Sequence, residues 1–168
     1  MQKSQLVAVD TNVLMRLADG HEATIDAWHL IKRRLHPVQF LLLPTVMEEL
    51  ASKVLEDDDH AVRHAAGKAL LEMRTRWRFQ PVDFNSVQEA IADNAAKRVR
   101  DADLIPPAER NDSLILAEAA VLNVVLLVSR DSHLIDVDRE RLALLFRQLD
   151  LPTPLISSPE NLVKKFYS

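Results

Sequence analysis

The sequence predicts an α/β fold around a parallel sheet, on three observations: short apolar runs, their β-branched content, and a helical stretch after each run. The runs lie at residues 6–9, 40–43 and 124–128, the last reading V-V-L-L-V. Continuous apolar runs of this length suit strands buried on both faces, as in a parallel sheet. Strands alternating with helical stretches are the pattern of an α/β fold. A fourth strand is expected at residues 153–157. Helices are expected at residues 22–35, 46–55, 60–74, 87–100, 112–122 and 139–149, followed by a short C-terminal helix near Pro159 with Leu162, Val163 and Phe166 on its apolar side. Residues 77–84 are ambiguous. Residues 101–110, with Pro106 and Pro107, read as a loop that leads into the Asp112 helix and could form one wall of a substrate groove. The chain has 168 residues, 48% of them hydrophobic, with no repeat, low-complexity tract or linker, so residues 1–168 read as a single domain.

Composition removes several classes of function. Gly20 and Gly67 are the only glycines, too few and too far apart for a phosphate-cradling loop. No cysteine occurs, which excludes a disulfide framework, a thiolate zinc site and a cysteine nucleophile. The first residues lack the pattern of a secretory signal, and no apolar run approaches the roughly 20 residues of a membrane span, so a cytoplasmic protein without membrane contact is expected. The net charge of −4 argues at first against a polyanionic partner. Its distribution matters more than its sum. Basic clusters stand at Lys32, Arg33 and Arg34, at Arg74, Arg76 and Arg78, at Lys97, Arg98 and Arg100, and at Lys164 and Lys165. Each of them also fits an ordinary solvated helix face.

Four carboxylates carry the chemistry. Asp10 ends the first apolar run in V-A-V-D-T-N-V-L-M, and Asp131 holds the equivalent place in L-L-V-S-R-D-S-H-L. Glu49 lies in P-T-V-M-E-E-L, in the helix after the second strand, and Asp112 opens its helix in E-R-N-D-S-L-I-L-A-E-A. Strand ends and the starts of the following helices share the carboxyl edge of a parallel sheet, where such sheets place ligands. Acids gathered there would repel one another and take up protons unless a cation were present. Hard divalent ions such as Mg²⁺ and Mn²⁺ prefer these oxygen donors, and a bound ion of this kind assists phosphodiester cleavage.

Together, in this order and with these apolar flanks, the four segments resemble the PIN-domain family over residues 7–134. The resemblance implies an α/β/α sandwich with a central parallel sheet, with Asp10, Glu49, Asp112 and Asp131 as catalytic, metal-binding residues. It also implies hydrolysis of RNA with Mg²⁺ or Mn²⁺. Many members of the family are toxins of bacterial toxin-antitoxin pairs, so an antitoxin partner is a further expectation, as is a homodimer. The longer helical middle section departs from the small toxins. The alternative is a non-catalytic PIN-like module that binds RNA or a protein.

Each site residue also has an ordinary structural reading. Asp10 could cap the helix after it, Asp112 could be a cap or first-turn acid with Asn111 filling the cap equally well, and Asp131 could be a turn residue. Glu48 competes with Glu49, which the family pattern favours because it precedes Leu50. Asn12 and Ser129 are expected to support the ligands, and Arg130, Lys97, Arg98 and Arg100 to steer the phosphate backbone. Asn12 occupies the place where a haloacid-dehalogenase-type phosphatase needs a second Asp, and no Lys closely follows Val128 as a receiver domain requires.

Overall fold

The structure is a computed structural model that describes residues 2–167. Its sheet has five strands: β1 (Gln5–Val9), β2 (Val38–Leu42), β3 (Gln80–Pro81), β4 (Leu126–Val128) and β5 (Leu155–Ser157). They stand in the order β3-β2-β1-β4-β5, and every neighbouring pair is parallel. The expected parallel sheet is therefore present. Val7, Ala8 and Leu127, in the central strands, are fully buried, as continuous apolar runs require.

Helices α1 (Thr11–Ala18) and α2 (Glu22–Arg34) join β1 to β2, and α3 (Pro44–Glu56) and α4 (His60–Thr75) join β2 to β3. Helices α5 (Ser86–Asp101) and α6 (Arg110–Val121) carry the chain back across the sheet to β4, and α7 (Ser132–Ile135) and α8 (Arg139–Gln148) lead to β5 and α9 (Pro159–Tyr167). Helices α1, α3 and α4 pack together, α5 lies against α6, and α2 against α9. The result is an α/β/α sandwich. Among the described residues no helix is long and apolar enough to cross a membrane.

Three elements add to the sequence reading. Residues 77–84 contain the edge strand β3, and α1 and α7 start directly after Asp10 and Asp131. Helix α6 begins two residues earlier than expected, which makes Asp112 its third residue and puts Glu109, without a side-chain cap bond, at the cap position expected of Asn111. Several helices stop at a residue that tolerates positive φ: Gly20 after α1, Asp103 after α5, Asn123 after α6 and Asp150 after α8. The left-handed backbone there closes each helix end.

The order of connections fixes where a ligand can sit. From β1 the chain steps outward through β2 to β3, then returns to the other side of β1 and steps outward again through β4 to β5. The carboxyl ends of β1 and β4 are therefore the point at which the winding reverses, and connections leaving in opposite directions open a crevice there. Below it the core is close-packed. Trp28 stacks on Phe40 with centroids 5.7 Å apart, Trp77 meets Trp28 edge-on at 5.0 Å, and Phe79 closes on Phe40 at 5.2 Å. Trp77 is thus a core residue, and Trp28, half-buried, packs against the core.

Phe146, on α8, is fully buried, whereas Leu71, on α4, is 76% exposed. Phe146→Ala is expected to lower the unfolding free energy by about 3–5 kcal/mol, and Leu71→Ala to change it by no more than about 0.5 kcal/mol, as read from urea denaturation of the two variants.

Candidate active site

Asp10 follows β1 at the crevice, with its backbone extended (φ −72°, ψ 160°) and its amide donating to the Val128 carbonyl at 2.9 Å. Its side chain is buried. Oδ1 accepts from the Thr11 amide at 2.7 Å, and Oδ2 accepts from the Ser129 hydroxyl at 2.9 Å. That hydroxyl oxygen also accepts from the Asp131 amide at 3.0 Å, so Ser129 fastens both acidic turns to each other. Asp131 in turn accepts from the His133 amide at 2.8 Å and caps α7. Capping and membership of the crevice coincide in both aspartates, because an extended residue at a helix start presents its carboxylate where strands end.

Glu49 reaches the crevice from the second turn of α3 and is half-buried, whereas Glu48, which lines the same groove, is exposed and adds its charge to the surroundings of Glu118. Asp112, in the first turn of α6, is buried, and its Oδ2 has no hydrogen-bond partner. Thr11 Oγ1 is also buried beside Glu49 without hydrogen-bond geometry to it.

The electrostatics tie these groups together. Burial raises the proton affinity of Asp10 above the ordinary carboxylate range, Ser129 and Thr11 oppose it, and the Asp131 charge adds to it. Burial also raises Glu49, followed by the charge of Asp10 and, more weakly, that of Asp131. Asp112 is pushed up to about 7, first by burial, then by Asp131 and Asp10, and by a proton shared with Asp131. Asp10, Glu49 and Asp112 each feel the charge of Asp131, and Glu49 and Asp112 also that of Asp10. Among the described residues, however, no group of three or more His, Cys, Asp or Glu side chains is gathered so as to hold a metal ion. The acids interact through their charges without being gathered as a ligand set. Their chemistry fits a hard divalent cation on two counts, the all-oxygen donor set and the orphaned Asp112 Oδ2, which water-excluded carboxylates do not leave without cost.

The expected supporting and substrate residues fall in different places. Asn12 is exposed and lines a groove beside Asp131, together with Arg130. Lys97 is exposed and paired with Asp101 at 2.7 Å, Arg98 reaches Gln148 at 3.4 Å, and Arg100 donates to the Ser113 hydroxyl at 2.6 Å. None of these three lines the two grooves that flank the carboxylates.

Glu118 was not among the expected site residues. It is buried on α6, accepts from the Thr45 amide at 3.0 Å and from the Thr45 hydroxyl, and so caps α3, whose own cap residue Leu43 makes no side-chain bond. Burial pushes it up to about 7, with Thr45 opposing and Glu48 and Asp93 adding to the rise. The signal was a lone acid inside an apolar helix, in L-I-L-A-E-A-A-V, where a buried carboxylate needs a partner.

A family model described as PIN domain matches residues 7–140. No curated relative matches the chain. Among solved structures it is similar to a chain of VapBC2 from Rickettsia felis, bound to a DNA fragment from their promoter, with a TM-score of 0.61 and 15% identity over 92% of this chain and 98% of that one. It is also similar to a chain of FitAcB from Neisseria gonorrhoeae, with a TM-score of 0.50 and 17% identity over 91% of this chain and 97% of that one. At these identities the likeness is one of fold.

A carboxyl with a raised folded pKa binds its proton more tightly folded than unfolded, so the folded state loses stability as pH rises from the unfolded value toward the folded one. With Asp112 and Glu118 both near 7, the thermal midpoint in EDTA is expected to fall between about pH 5 and about pH 8. The fall should be shallower in Asp112→Asn and in Glu118→Gln, which a pH series of melting curves on the three proteins measures.

Proposed function

The chain belongs to the PIN-domain family, and from that premise we propose that it is a divalent-metal-dependent ribonuclease whose centre is formed by Asp10, Glu49, Asp112 and Asp131. Members of the family are typically nucleases. The observation that carries the proposal is the mutual repulsion of these acids in a buried crevice, with Asp112 held near 7 and one of its oxygens unpartnered. A fold does not crowd carboxylates in this way for stability, and perturbed acids in a crevice mark functional sites.

In this reading the four carboxylates hold one or two Mg²⁺ or Mn²⁺ ions. Such an ion, when bound, polarises the phosphodiester and offsets charge on the leaving oxygen. The protein's own residues do the rest. Ser129 keeps Asp10 and Asp131 in one orientation through its two hydrogen bonds. Glu118, by capping α3, holds Glu49 at a fixed height beside α6. Arg130, next to Asp131 in sequence, attracts the phosphate backbone. The substrate is RNA.

Family membership favours a two-protein setting, in which an antitoxin covers the crevice and two copies of this chain form a dimer. Co-purification of a small protein encoded beside this one would support that setting.

Asp10→Asn keeps the helix cap but loses the charge. It is expected to abolish Mn²⁺-dependent cleavage of single-stranded RNA while melting at or above the wild-type temperature in EDTA, since it relieves burial of a charge. Cleavage retained by a folded Asp10→Asn protein would remove the proposal, and binding of RNA without cleavage by the wild type would favour a non-catalytic module. Ser129→Ala, which frees both aspartates, is expected to lower cleavage or Mn²⁺ affinity by about 10–100-fold, as read from rates at saturating RNA over a Mn²⁺ titration.

A further inference from the structure

Two grooves open onto the carboxylates, and their charges differ. One, of about 530 Å³, continues from Glu49 along α3, where Glu48, Glu56 and Asp57 face a single Lys53. The other, of about 600 Å³, continues from Asp131 between α1 and α7, where Arg16 and Arg130 stand against Asp19 and Glu109, with His133 also in its lining. Once a cation neutralises the four acids, the first groove remains strongly negative, whereas the second sets two arginines against Asp19, Glu109 and, behind Arg130, Glu160, and is the less negative of the two.

We propose that the groove between α1 and α7 is a phosphate subsite, in which Arg16 and Arg130 hold the phosphate next to the one that is cut, and that the opposite groove has no such subsite. The proposal rests on the reading of the carboxylates as a nuclease centre and adds a direction to it: the substrate strand is gripped on one side of the scissile bond.

The arginines are built for this. Arg16 lies on α1, the helix that Asp10 caps, so its place relative to the centre is set by one rigid element. It is half-buried, and one terminal nitrogen is steadied at 3.2 Å by His21 Nε2, whose other ring nitrogen meets Thr24 Oγ1 at 3.0 Å. Arg130 is anchored through Nε to Glu160 Oε1 at 3.0 Å, which leaves its two terminal nitrogens for a ligand. Two guanidinium forks held from behind match the oxygens of a phosphate, a geometry that lysine does not supply. Glu109 Oε1 lies 3.7 Å from His133 Nε2, and both line the groove. The groove has the volume of a small-ligand site, and Met15 gives it an apolar wall for the sugar or base.

The test uses the full chain and a short single-stranded RNA in which methylphosphonate linkages remove one phosphate charge at a time. Binding is followed by fluorescence anisotropy with Ca²⁺, and cleavage with Mn²⁺. Neutralising the phosphate adjacent to the cut on one side is expected to weaken binding about tenfold, and neutralising its counterpart on the other side to change it less than about twofold. In Arg16→Ala and in Arg130→Ala the unmodified RNA should bind about tenfold more weakly, the sensitivity to that one linkage should vanish, and the salt slope should drop by about one. Equal sensitivity on both sides, or sensitivity that survives in both variants, would overturn the subsite. Absence of any cleavage would remove the nuclease reading instead, while a single linkage whose effect disappears in the two arginine variants would still establish the phosphate site. Circular dichroism of both variants separates loss of binding from loss of fold.

Discussion

The structure depends on one electrostatic constraint: carboxylates buried side by side where the sheet's winding reverses must be neutralised by protons or by a cation. Asp10 follows β1 directly, is buried, and has two hydrogen bonds that favour its charged form, yet burial still outweighs them. Asp112 lacks even that help at Oδ2. The energy for holding such groups comes from elsewhere, from the apolar strands β1 and β4 and the helices packed over them. Strain of this kind persists only where the surrounding core over-determines the position.

The same geometry explains why helix capping and site formation are not competing readings. A residue that leaves a parallel strand and enters a helix has extended backbone, and an acid there satisfies the helix's first amides with one oxygen. Asp10 and Asp131 both do so. Each keeps a second carboxylate oxygen, and in Asp10 that oxygen is engaged by a hydroxyl alone. A cap bond orients the carboxylate without consuming it.

Much of this was legible in the sequence, for identifiable reasons. The runs around Val7, Phe40 and Leu127 announced the three central strands because strands buried on both faces are continuously apolar. Strand β3 escaped because two edge residues, Gln80 and Pro81, carry no periodic signal. Helix α7 is a single turn, too short for a 3.6-residue repeat to register. The start of α6 was misplaced by two residues because Arg110 and Asn111 are polar and exposed, as loop residues are. At the site, Asp10 and Asp131 stood out because each follows an apolar strand, Asp112 because it stands near the start of an apolar helix, and Glu49 because it precedes Leu50 in the helix after the second strand. Glu118 did not, since its role lies in a contact with Thr45, 73 residues away, and no local pattern encodes that pairing.

That contact bears on how the centre is assembled. Glu49 and Asp112 come from different helices, and neither strand end holds them in place as β1 holds Asp10. Helix α3 begins with Pro44 after a leucine that cannot cap it, so its first amides need an acceptor from outside. Glu118 supplies one from α6, the helix that carries Asp112. The bond therefore sets the height of α3 against α6, and with it the separation of Glu49 from Asp112. A buried acid is an expensive cap compared with a serine at the helix start, because desolvation raises its pKa to about 7. A serine at position 43 would satisfy the same amide but would leave the two helices free to slide. What the costlier arrangement adds is a fixed relation between two helices, each of which delivers one acid to the crevice.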